Sequence, residues 1–225
     1  MTIETSSPLP QRRLAGALLL AGPAIYLLIE FIAAAAWTDP PYSYTRNFIS
    51  NLGVKGPSVL FEQYMASPLY WLMNIGFFVF GIVILAGVVL LRGLAGWRRP
   101  LVVAVAVLLA VGGVLLSLYP GSGESQLDGT GDFHAIGAFG GFLGANVLAI
   151  VLGRMHARIG LSRPVGIALV IVGVTGLLST GLYLALLING GETIGIIGLI
   201  ERGATHPFLV GILCAGASLV RRPKA

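Results

Sequence analysis

The chain has 225 residues, 56% of them hydrophobic and only 10% charged, with a mean hydropathy of +0.90. Soluble domains carry about 25% charged residues, so this composition cannot cover a water-facing surface and excludes a soluble globular protein. The net charge of +5 is spread through short loops between apolar runs, which argues against a phosphate-binding face and against a nucleic-acid partner.

The first apolar run covers 14–37, behind Arg12 and Arg13. A signal-peptide core is about 7–15 residues long. This run is longer and is interrupted by Pro23 and Glu30, so it reads as a retained helix. Further apolar runs cover 69–91, 101–119, 134–153, 165–187 and 207–220. A helix crosses a hydrocarbon core about 30 Å thick in about 20 residues, which the first five runs suit, while the sixth is short. Pro68, Pro100, Pro120, Pro164 and Pro207 fall at the boundaries, where proline is accommodated in a first turn or stops a helix. The expected fold is therefore all-α. It is a polytopic membrane protein, one domain over 1–225, built as a bundle of six transmembrane helices with a long first extracytoplasmic loop. The stretch 190–204 is weakly apolar, so the sixth span either begins early or follows a re-entrant segment.

Charge sets the expected orientation. Arg12, Arg13, Arg92, Arg98, Arg99, Arg154, Arg158, Arg163, Arg221, Arg222 and Lys224 all fall on the side that carries both chain ends. The opposite side holds Arg46, Lys55 and Arg202 with Asp39, Glu62, Glu124, Asp128, Asp132, Glu192 and Glu201. The positive-inside rule then places the protein in the cell membrane with both termini cytoplasmic and the acidic loops outside.

Between the first two spans, 38–68 carries Tyr42, Tyr44, Phe48, Phe61 and Tyr64, a density that suits the headgroup layer or a lid folded onto the bundle. The segment 121–133, GSGESQLDGTGDF, reads as a flexible acidic turn. The two halves show no sequence echo of a three-plus-three inverted repeat. Cys214 is the single cysteine and lies in an apolar run, where packing is its expected role.

Glu30 is the most informative residue, about seven positions before the outer end of the first span and so roughly 10 Å into the membrane. An ionisable side chain at that depth marks a function or a buried pairing. Arg202 is the expected partner, through a two-bond fork, with His134 and Arg46 next. Asn74, His134, Tyr183, Glu201, Arg202 and His206 fall near the same level, which with Glu30 suggests a polar cavity open to the outside. Asn146 is the clearest polar residue of the inner halves.

Asp132, His134, Glu201 and His206 could be weighed as zinc ligands, but their spacing matches no zinc template, and neither metal nor cofactor is expected. Ser50 could serve as a nucleophile with His134 or His206 as base, yet no G-x-S-x-G elbow surrounds it. A turn cap ahead of Gly53 is the plainer role for Ser50. Gly137, Gly140, Gly141 and Gly144 form a small-residue face on the fourth span. Such faces let helices approach closely, within one chain or across an oligomer.

Ile49-Ser50-Asn51-Leu52-Gly53, Asn74, Tyr119-Pro120 with His134, and Glu201-Arg202 before the sixth span together resemble the bacterial and archaeal membrane family known as domain of unknown function 998. The resemblance covers nearly the whole chain and implies no established activity. It implies that Ser50, Gly53, Asn74, His134, Glu201 and Arg202 correspond to the family's recurrent motifs.

Three readings of function follow. The chain binds or moves a small molecule or membrane lipid through an outward-facing polar cavity; or it is an enzyme acting on a lipid or lipid-linked substrate at the outer leaflet; or it is an accessory subunit of a larger complex. The first is preferred here. It names Glu30, Asn74, His134, Tyr183, Glu201 and Arg202 as binding residues, while the enzyme reading takes Ser50, His134 and His206.

Overall fold

The computed structural model describes residues 9–191 and 193–221. Glu192, Arg222 and Lys224, counted above among the loop and tail charges, lie outside the described residues. Backbone polar groups cannot be left unsatisfied in hydrocarbon, so the apolar runs form helices. Six of these are long and apolar enough to span: α1 (Leu9–Ala36), α2 (Tyr70–Val89), α3 (Arg98–Leu118), α5 (Gly131–Arg154), α6 (Arg163–Ile188) and α7 (Ile197–Val220). The chain is an all-α, multi-pass membrane protein.

Each long helix packs on its neighbours in the order α1, α2, α3, α5, α6, α7, and α7 closes back on α1 while also touching α5. The start of α1, the end of α7 and the loops after α2 and α5 share one face, called here the terminal face. The other, the loop face, carries the three remaining connections. Leu28, Phe31, Ile171, Leu178 and Val210 are exposed on the outside of the bundle, as a lipid-facing surface requires.

Small residues set the helix contacts. A Cβ on Gly112 would stand 2.6 Å from the Gly141 nitrogen, and one on Gly144 would stand 2.6 Å from the Leu109 nitrogen. The glycine face of α5 is therefore occupied by α3 of the same chain along Gly137 and Gly144. Asn146 is fully buried and ties α5 to α7, its Nδ2 donating to the carbonyls of Phe142 and Ala204 at 2.9 and 2.8 Å.

Two expectations change. The last helix starts at Ile197, ten residues before Pro207, which lies inside it. Interior proline removes one helical hydrogen bond, and a membrane helix tolerates this when neighbouring helices cover the freed carbonyl. The segment after Tyr119 is not a featureless turn: α4 (Gly123–Asp128) forms there behind a capping box of Ser122 and Ser125, and Gly129 ends it at φ 80°.

The first loop is ordered. A 3-10 turn covers Ile49–Gly53, and strands β1 (Ser58–Leu60) and β2 (Gln63–Met65) pair antiparallel with Val59 opposite Tyr64. Ser58 Oγ donates to Glu124 Oε2 at 2.7 Å and accepts from the Gly123 amide at 2.9 Å, fixing the hairpin to α4. The loop thus folds onto the bundle.

Candidate functional site

Near the loop face, α1 and α7 bring a buried polar cluster together. Glu30 stands six residues before the end of α1 and Arg202 five after the start of α7, so both lie roughly 8–9 Å inside their helix ends. Glu30, Glu201 and Arg202 are 2%, 4% and 4% exposed, and charges so placed must be paired. Arg202 Nε donates to Glu30 Oε1 at 3.2 Å, the pairing read from the sequence. It is not a two-bond fork, however. The second oxygen, Glu30 Oε2, accepts from His206 Nε2 at 2.9 Å.

The rest of the Arg202 guanidinium holds the loop. Nη1 donates to the carbonyls of Tyr44, Asn47 and Gly198 at 2.8, 3.0 and 3.0 Å, and Nη2 donates to the Tyr42 hydroxyl. The cation also lies 5.5 Å from the Tyr42 ring centre and 4.8 Å from that of Tyr44. Rings at this range attract a guanidinium through their negative faces. Burial pushes the Tyr42 hydroxyl well above its ordinary pKa, with Arg202 opposing, so it stays a neutral donor and bonds the Phe48 carbonyl at 2.9 Å.

Glu201, on the next position of α7, works in the same direction. Its Oε2 accepts from the Ile49 amide at 2.5 Å, satisfying a donor at the start of the 3-10 turn. At the other end of that turn, Asn74 Nδ2 of α2 donates to the Gly53 carbonyl at 3.0 Å. A Cβ at 53 would stand 2.4 Å from Asn74 Oδ1, so any larger residue there would displace the Asn74 amide. Gln63 closes the third side, accepting from Asn51 Nδ2 at 2.6 Å and donating to the Arg46 carbonyl at 2.9 Å.

Beneath the turn lies a cavity of about 60 Å³ between α1, α2, α3, α5 and α7. Phe77, Phe80, Leu109, Leu116, Phe142 and Phe208 make most of its wall, while Tyr26, Ser50, Glu201 and Thr205 supply its polar atoms. Gly141 also borders it, and a Cβ there would meet nothing within 4 Å. The one glycine of the α5 face that borders the void thus differs from Gly137 and Gly144, which meet α3.

The candidates from the sequence separate into groups. Glu30 bonds both Arg202 and His206, and Glu201 and Ser50 share the cavity wall. Asn74 sits under Gly53, as a support of the turn. His134 stands apart, one turn into α5, with its Nδ1 bonded to the Tyr119 carbonyl at 2.8 Å. Tyr183 joins an aromatic cluster with Phe48, Phe139 and Phe142 at centroid distances of 5.8, 6.2 and 5.9 Å. No histidine is hydrogen-bonded to Ser50 among the described residues. Nor do three His, Cys, Asp or Glu side chains gather as metal ligands there, and Asp132 is exposed. His206 opens no helix; it lies two turns inside α7 because the helix begins at Ile197.

Tyr42 and Tyr44 carry the cation box that sequence reading missed. Their aromatic density pointed to an interface or lid, but a loop tyrosine gives no sign of which helix cation it will meet. Tyr26, Thr205 and Phe208 were hidden among the helical residues of their spans.

Of the motifs quoted above, Ile49–Gly53, Asn74 and Glu201-Arg202 thus meet in one ordered assembly at the loop face, while Tyr119 and His134 pair with each other beside it. The family described as a protein of unknown function, DUF998, matches residues 20–218. The chain belongs to the DUF998 family. Its matched region contains α2, α3, α5 and α6 whole, nearly all of α7, the second half of α1 from residue 20, and every residue of the cluster. No curated protein and no solved structure matches this DUF998 chain.

Proposed function

We propose that this protein binds the apolar portion of an amphiphile, a membrane lipid or small molecule, in the cavity beneath the Ile49–Gly53 turn. The carrying observation is the cavity itself: an aromatic and aliphatic wall with the Glu201 carboxylate and the Ser50 and Thr205 hydroxyls at its polar end. Ligand sites combine such apolar walls with a few polar groups that set orientation. A water needs about 10–15 Å³ of such space, so about 60 Å³ takes a short alkyl or ring segment and not a whole lipid. An ionised Glu201 carboxylate would accept from a donor or cation on the ligand, while the Ser50 and Thr205 hydroxyls can donate or accept.

Glu30, Arg202 and His206 belong to this reading as the frame of the site: they hold the turn that roofs the cavity. Charge distribution supports a roof facing the outside of the cell membrane, with both termini cytoplasmic. An enzyme reading needs a base on Ser50, and no contact among the described residues favours it.

Gly141→Leu tests the reading by filling the void. Native mass spectrometry of the purified protein is expected to show a bound amphiphile that Gly141→Leu loses and that Glu201→Gln weakens about tenfold, the loss of one charge-assisted hydrogen bond. Phe139→Leu, outside the cavity wall, serves as a folding control. Equal retention by wild type and Gly141→Leu would overturn the proposal.

A further inference from the structure

At the terminal face, three chain segments that are distant in sequence meet around a second cleft. It is lined by Arg12 and Ala15 of α1, by Leu91, Arg92 and Gly93 after α2, and by Arg158, Ile159 and Gly160 after α5, with a volume of about 200 Å³. Ala15, Leu91 and Ile159 are buried and form an apolar floor. Two glycines bring the loops together. Gly93 has φ +88°, and a Cβ on it would stand 1.9 Å from the Arg158 carbonyl oxygen; Gly160 has φ +76° and packs beside the Arg12 guanidinium. Only glycine takes these conformations without strain.

The charges around this cleft are one-sided. Arg12 Nη2 donates to the Gly160 carbonyl at 2.9 Å, and Arg92 Nε donates to Gln11 Oε1 at 2.5 Å. Both partners are neutral, and among the described residues the only ion pairs are those of Glu30, at the other face. Arg12 Nε is buried without a hydrogen-bond partner among the described residues. A buried donor left in this way costs about 1–3 kcal/mol. Every Asp and Glu among the described residues belongs to the loop face. Three guanidiniums around one cleft, with no carboxylate of the described residues beside them, select an oxyanion, and arginine's planar fork matches phosphate oxygens.

We propose that the Arg12–Arg92–Arg158 cleft is a phosphate-binding site, distinct from the cavity at the loop face and independent of its function. Arg92 and Arg158 are exposed and reach the anion from two loops, while Arg12 meets it from the helix. The phosphate comes either from the headgroup of an anionic lipid, which basic pockets at the ends of membrane helices bind, or from free phosphate.

Binding to the full-length protein in neutral detergent distinguishes these sources. One arm titrates short-chain phosphatidylglycerol against phosphatidylcholine, and the other titrates inorganic phosphate. Arg92→Gln with Arg158→Gln is compared with Arg98→Gln with Arg163→Gln, which removes the same charge outside the cleft. Each arginine near a phosphate contributes roughly fivefold, so the cleft pair is expected to weaken binding about 25-fold and the control pair at most about twofold. Selective loss for phosphatidylglycerol supports the lipid source, and selective loss for inorganic phosphate supports the free anion. Arg92→Lys with Arg158→Lys keeps the charge and reports folding. No saturable binding in either arm, or an equal loss in both glutamine pairs, would overturn the site.

Discussion

Arg202 occupies a position where a membrane helix does not normally hold a cation, and the cost is offset by engaging all three guanidinium nitrogens. One of these contacts, to Glu30, crosses between helices. Apart from the bond to the Gly198 carbonyl within α7, the others join α7 to the Tyr42–Asn47 segment, so Arg202 couples helix packing to loop position. Removing one member of a buried ion pair strands the other, at a cost of about 3–5 kcal/mol. Arg202→Gln is expected to cost that much and also to expose the first loop, while Glu30→Gln costs less because its amide can still accept from Arg202. The double variant is expected to cost less than the sum of the two. Denaturant unfolding of the four proteins in one detergent checks this, and additive losses would show that the pair is uncoupled. The residue-scale reading found Glu30 and Arg202 because ionisable groups are conspicuous in apolar runs. It could not foresee that His206 would take the second carboxylate oxygen, since that depends on which turn of α7 faces α1.

Among the elements, the helices were legible because twenty apolar residues are hard to mistake, and the start of α7 was not. Pro207 resembled a helix start, and the Glu201-Arg202 pair resembled a loop. In fact both charges are inside the helix, compensated by Glu30, the Ile49 amide and loop carbonyls. Hydropathy registers the charge but not its partner. The β1–β2 hairpin was missed for a related reason: three-residue strands are too short for a period-two pattern. It is anchored by Ser58 and Glu124, and that hydrogen bond is the leading cause holding the Glu124 carboxyl below its ordinary range. A carboxyl depressed in the folded state contributes support that is present above the unfolded value, about 4.3, and is lost as pH falls through the folded value. Proteolysis after Lys55 is therefore expected to accelerate below about pH 4 in wild type. Ser58→Ala should show faster cleavage already at neutral pH. A wild-type rate independent of acid would rule out the anchor.

For the molecule as a whole, the arginines and the acidic loops divide the bundle into two chemically different ends. One end is closed by a loop held on buried charges above an aromatic cavity, and the other carries the arginine cleft. Reporter fusions active only outside the cytoplasm are expected to give signal at Ser125 and none at Gly160; the reverse would invert the orientation. The central claim is that the cavity under the Ile49–Gly53 turn holds part of an amphiphile. Its most direct measurement is a crystal structure grown from a lipidic mesophase. Elongated density is expected between Phe142 and Phe208, ending within hydrogen-bond reach of Glu201 and vanishing in Gly141→Leu. Ordered water alone in the wild-type cavity, or the same density in Gly141→Leu, would contradict it.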